Sequence, residues 1–430
     1  MVSARDGGPV AGLDASAVPA PDRRRYGSGF WFVVFAFLIV MAVATLPSPL
    51  YGLYRTRDHL SALTITVVFA IFAGGTIATL QRDSSLTSRL GRRGMMLGAV
   101  ATMMVAMGVL AAWKDLPGLL IGRLLTGVAV GLAAGPAITY LVELRLRADP
   151  DASVVRARTI GTSVNVGALG VGPLIAGCLA QWVSQPLTVP YLVFIALGAV
   201  ALAGLRVTPE TGAPAPGAAA EHQPAGSRRR VRLPVPAAAA TLAGFAANGL
   251  YAGLSGLFLA TTLHHPSLAL SGASLFLLFS CGVASQLATA RLHASSVLAL
   301  GTISMLAGLA LLVVSVRLSA PSLALFLIGG ALIGAGSGAV FKGTTGIVLG
   351  ASPPESRVAM TSALLIALYV GLAVPVIGAG IALSLGASGP DTVLGFAILV
   401  GLGVIVSGWA LLRPRPSGTE RVSAGGEPGR

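Results

Sequence analysis

Eleven stretches of this chain contain no Asp, Glu, Lys or Arg: residues 26–54, 60–81, 94–113, 124–142, 159–205, 233–263, 266–290, 294–316, 318–341, 358–390 and 392–412. A helix needs roughly 20 apolar residues to cross a hydrocarbon core about 30 Å thick, and each stretch is about that long or longer. The longest, 159–205, is interrupted by Ser184-Gln185-Pro186 and so holds two segments. The pattern therefore predicts twelve membrane-spanning helices. A water-soluble domain with this many would cover its surface with apolar side chains, so the expected fold class is an all-α membrane protein.

Composition agrees. The chain is 54% apolar and 10% charged, with a mean hydropathy of +0.83, outside the range of soluble domains. Many of the 56 Gly and 26 Pro fall inside the apolar stretches, where small residues let helices approach and prolines kink them. Cys178 and Cys281 both fall inside spans, so no structural disulfide is expected. No His and Cys stand at metal-ligand spacing, and neither metal nor cofactor is expected.

The formal charge of +14 changes meaning once it is mapped onto the loops. With the N-terminus in the cytoplasm, 24 of the 29 Lys and Arg fall on the cytoplasmic side. Only Arg55, Arg57, Lys114 and Arg317 fall outside, and Arg123 lies within a span. This is the positive-inside bias, and it predicts both termini in the cytoplasm of a cell carrying the protein in its plasma (inner) membrane. No single basic surface remains for nucleic acid.

Residues 1–25 read as a disordered cytoplasmic tail. The stretch that follows is too long for the apolar region of a cleaved signal peptide. Residues 207–235, rich in Pro, Ala and Gly and carrying Arg228-Arg229-Arg230, read as a cytoplasmic linker. They separate six-helix bundles at 26–206 and 236–412, and a second tail covers 413–430. The halves repeat at an offset of 207: Phe69, Phe72 and Gly75 meet Phe276, Phe279 and Gly282, and Gly122, Gly127 and Gly131 meet Gly329, Gly334 and Gly338. Two pseudo-symmetric bundles with a cavity between them are the expected arrangement.

With twelve spans, a 6+6 repeat, a long central linker and Arg89-Leu90-Gly91-Arg92-Arg93 between spans 2 and 3, the chain resembles the major facilitator superfamily. The resemblance covers residues 26–412 and implies alternating access about a central site. The loop signature of that family is Gly-x-x-x-Asp-Arg-x-Gly-Arg-Arg; here Ser84 and Ser88 replace its Gly and Asp. Gly91 would allow a tight turn, and Arg89, Arg92 and Arg93 would pair with acids or helix ends across the bundle interface. Asp83 is a possible substitute acid.

Arg123 opens a segment with Gly127 and Gly131 that resembles the span 4 motif of proton-coupled exporters. A charge at depth costs at least about 2.5–3.5 kcal/mol, so Arg123 should face a cavity or partner, or else snorkel to the outer surface. In span 5, Gly170, Gly172-Pro173 and Gly177 resemble the motif marking antiporters, and act as a hinge, a proton seal or simply as packing. No acid sits at a predicted midplane. Glu143, at the cytoplasmic edge of span 4, is the remaining coupling candidate beside Arg123, opposed by simple pairing with Arg145 or Arg147. Lys342 is expected to snorkel toward lipid. Tyr51, Asn165 and Asn248 are candidates for the substrate cavity.

These residues point to a secondary transporter, a drug/proton antiporter-like exporter of an apolar or cationic-amphipathic drug- or antibiotic-like molecule, rather than an enzyme. An uptake permease or metabolite symporter of the same fold is the alternative. The expected partners are the bilayer, a small-molecule substrate and protons, for a monomer.

Overall fold

A computed structural model describes residues 20–211, 233–353 and 356–413. The tail residues 1–19 and 414–430 and most of the expected linker, 212–232, lie outside the described residues. In chain order the helices are α1 (Ala20–Ala42), α2 (Tyr51–Asp58), α3 (Ala62–Leu80), α4 (Asp83–Ala112), α5 (Leu116–Ala134), α6 (Pro136–Ala148), α7 (Val154–Trp182) and α8 (Val189–Val207). The second half holds α9 (Val235–Thr261), α10 (Leu268–Ala288), α11 (Ala294–Arg317), α12 (Leu323–Gly350), α13 (Arg357–Ser384) and α14 (Gly389–Leu412).

Among the described residues, twelve spans are long and apolar enough to cross a membrane, with α5 and α6 counting as one and α2 as none. Five of these helices start at a serine, Ser61, Ser153, Ser267, Ser322 or Ser388, whose hydroxyl accepts the amide three residues on. The basic face below is the end carrying the arginine-rich loops; the far face is the opposite end.

Three local breaks shape the bundle. Pro47 and Pro49 bring no amide to the helix ladder, so α1 stops at Ala42 and the chain runs through turns and a 3₁₀ turn, Ser48–Leu50, before α2. The single span expected over 26–54, with a kink at Leu46-Pro47-Ser48-Pro49, is thus two helices. Gly135-Pro136 separates α5 from α6. Gly91, at φ 70° and ψ 173°, interrupts α4.

Repetition at the 207-residue offset has a packing counterpart. A Cβ at Gly127 would overlap the backbone oxygen of Phe72 on α3; one at Gly334 would overlap that of Leu278 on α10. The same span pair is therefore pressed backbone to backbone in each half, which only glycine permits. The halves meet along α7 against α10 and α3 against α13. At the far face Gln181 Oε1 accepts from Leu268 N at 2.8 Å and Ser267 Oγ at 3.2 Å, capping α10 from the opposite half. Near mid-span, Phe72 meets Tyr369 edge-on at 5.8 Å.

Candidate functional site

The far-face break in the first span, the far-face end of α9 and the start of α10 border a cavity of about 360 Å³ between the two halves. That volume falls at the lower end of the range of small-molecule sites. Its walls are largely apolar. Ser48, Tyr51 and Ser271 line it, and the hydroxyl of each is buried without a hydrogen-bond partner among the described residues. An unpaired buried hydroxyl costs about 1–3 kcal/mol, so three around one cavity, two from the first half and one from the second, are conspicuous.

Beneath the cavity the interrupted first span is braced from two sides. In a continuous helix Ala44 O would accept from Ser48 N, but Ser48 N turns back to Thr45 O at 3.0 Å. Arg123 takes the freed carbonyl: its Nη1 donates to Ala44 O at 2.7 Å and its Nη2 to Phe69 O at 3.4 Å. Its guanidinium lies 4.9 Å from the Phe72 ring centre and 5.7 Å from that of Phe69. Arg123 is fully buried, and its Nε has no hydrogen-bond partner among the described residues. It does not snorkel, because α5 begins at Leu116 and carries the side chain two turns into the bundle.

The second brace comes from α7. Pro173 cannot donate to Leu169 O, and Thr45 Oγ1 takes that carbonyl instead. Gly172 lies flat on Ala42 O at the end of α1, whereas Pro173 O faces Gly272 and Gly177 faces Leu268 O, both on α10. The Gly-Pro element thus touches the broken span of its own half and the opposite half at once. Gly131 packs on Thr79 and Thr76 of α3.

At the basic face the loop signature builds a different cluster. The Glu210 carboxylate accepts from the backbone amides of Arg92 at 3.2 Å and Arg93 at 3.0 Å, the first amides after the Gly91 turn. Arg92 makes a bidentate pair with Glu143, Nε–Oε2 at 2.6 Å and Nη2–Oε1 at 2.7 Å, and Thr211 Oγ1 donates to Glu143 Oε2 at 2.6 Å. Arg93 donates to Leu205 O at 3.0 Å and to Arg206 O, at the end of α8. Tyr140 Oη donates to Pro209 O at 2.8 Å, and Arg147 Nη2 to Thr211 O at 2.6 Å. These pairs stay within the first half rather than crossing the interface. Glu143 pairs with Arg92 rather than with Arg145 or Arg147. Arg89 is exposed, and the side chain of Asp83 lies outside the described residues.

Of the three cavity candidates, only Tyr51 lines this cavity. Asn248 is buried on α9 and donates to Ser337 Oγ at 3.1 Å, a helix-to-helix bond with α12. Asn165 is half-buried on α7. Lys342 caps the end of α10, donating to Gln286 O at 2.6 Å and Thr289 Oγ1 at 3.2 Å, instead of snorkelling. Sequence reasoning missed Ser48, Ser271, Thr45 and Glu210. Their roles depend on partners far along the chain, and only the Pro47-Ser48-Pro49 break marks the neighbourhood.

A model of the Major Facilitator Superfamily matches residues 33–313. Among solved structures, a mutant form of the nucleoside transporter NupG superposes with a TM-score of 0.68 at 10% identity, covering 90% of this chain and 99% of that one. Another structure of the nucleoside transporter NupG gives 0.65 at 12% identity, covering 91% and 100%. At such identity the likeness is one of fold. No curated protein sequence matches the chain.

Proposed function

Because the chain belongs to the major facilitator superfamily, we propose that it is a secondary transporter that exports a small, drug- or antibiotic-like molecule by alternating access. The cavity shared by both halves carries this reading. Ser48 and Tyr51, on its wall, belong to the break that Arg123 and the Pro173 kink brace. A ligand pressing on that wall therefore acts directly on the one place where the first span is not held by its own helix. The Gly172-Pro173 element favours export, through the antiporter resemblance of its segment and its simultaneous contact with α1 and α10. In this reading the basic face is cytoplasmic, the protein is a monomer in the plasma membrane, and its tails extend into the cytoplasm.

The same reading makes the proton the coupling ion and Glu143 its acceptor. Protonation would remove the charge that holds Arg92 and so loosen the basic-face cluster, away from the cavity. Glu143→Gln is then expected to abolish the dependence of transport on a pH gradient while leaving exchange of substrate between the two sides intact. Direction is tested by identifying a ligand in a thermal-shift screen of purified protein, then measuring its flux. Accumulation in inverted vesicles supports export; accumulation only in right-side-out vesicles establishes an uptake permease instead.

A further inference from the structure

The carboxylates at the far face each have an oxygen within ion-pair reach of an arginine, although Asp58 Oδ2 is buried without a partner among the described residues. Asp58 and Asp115 both pair with Arg57, and Asp391 pairs with Arg317. The lining of the cavity holds one charged side chain, Arg55, and no carboxylate. Below the floor, Arg123 is fully buried with no ion-pair partner among the described residues, and it donates to Ala44 O, one turn before Ser48 of the cavity lining. The cavity therefore has a cation at its rim, a second cation beneath it that pairs with no carboxylate among the described residues, and no anion in its walls. Between these charges stand the unpartnered hydroxyls of Ser48, Tyr51 and Ser271.

We propose that this cavity selects a neutral or anionic molecule bearing hydrogen-bond acceptors, and rejects organic cations. The inference rests on the reading of the cavity as the transport site. A cationic amphipath entering here would meet like charge from both ends and find no carboxylate, in a largely apolar space where screening is weak. An acceptor-bearing molecule would instead satisfy hydroxyls that lack partners now. The arrangement thus excludes the cationic half of the substrate class expected from sequence, and keeps the neutral half.

The charge preference is measurable without knowing the substrate. With Cys178 and Cys281 replaced by Ala, Leu257→Cys puts a thiol on the half-buried cavity wall, at a residue with no assigned role. Two membrane-impermeant probes are applied from the far face: anionic sulfonatoethyl methanethiosulfonate and cationic trimethylammonium-ethyl methanethiosulfonate. Each rate is normalised to the same reagent's rate with free 2-mercaptoethanol. The expected result is a preference of at least about tenfold for the anion, falling in Arg55→Gln and in Arg123→Met. Equal rates, or a preference for the cation, would overturn the charge selection and leave the transport reading standing. If neither probe reacts, the cavity does not open to the far face, and the transport reading fails together with the inference built on it.

Discussion

Arg123 and Ala44 have counterparts at the 207-residue offset in Gly330 and Tyr251, and the bulk is exchanged between the two pairs. In the first half a long cation on span 4 reaches the backbone of span 1. In the second, Tyr251 on α9 reaches back to Phe326 O at 2.7 Å, and Gly330 leaves room for its ring. At these paired positions the first half therefore braces a break in its span, whereas the second half joins a ring hydroxyl to a carbonyl. Arg123→Lys tests that role. An ammonium offers no planar fork to two carbonyls and stacks less well on Phe72, so transport is expected to fall tenfold or more. Activity near wild type in reconstituted vesicles would show that charge alone suffices. Gly91 makes a second prediction. Its backbone conformation is nearly glycine-only, and a Cβ would stand 2.8 Å from Glu210 Oε2. Gly91→Ala should cost about 1–3 kcal/mol, read as a lower thermal midpoint in detergent.

Helix breaks were only partly legible before the fold was seen. Leu46-Pro47-Ser48-Pro49 announced a kink, because two prolines remove two amides. It did not announce that the helix stops at Ala42, since the donor that makes an open carbonyl tolerable sits 79 residues away on α5. The basic-face cluster was legible as a motif but not as a set of partners. Glu210 lies 118 residues from Arg92, beyond the end of α8, and reads in sequence as linker. In α7 the Pro173 kink is coupled to the break through Thr45. Pro173→Ala returns an amide to Leu169 O and frees Thr45 from its role. Its expected effect is a thermal midpoint equal to or above wild type with transport reduced at least tenfold. Unchanged transport would reduce the kink to packing.

At the scale of the whole molecule, the twelve-span architecture was the most legible property. Lipid leaves the backbone no partners but its own, so each span must be an uninterrupted apolar run, and charges are swept into loops. What the pattern could not carry is the geometry between halves: which face is joined, and by what. There Gln181 caps α10 across the interface, Gly380 lies against Thr66 and Leu63 of α3, and Phe72 meets Tyr369. The Gln181 and Gly380 contacts at the far face must part for the cavity to open to that side, so a bond across them is the most direct test of alternating access. The measurement is transport by Gln181→Cys/Ser267→Cys, in protein with Cys178 and Cys281 replaced by Ala, before and after oxidation. The account predicts that the disulfide stops transport and that reduction restores it; undiminished transport by the fully cross-linked protein would contradict it.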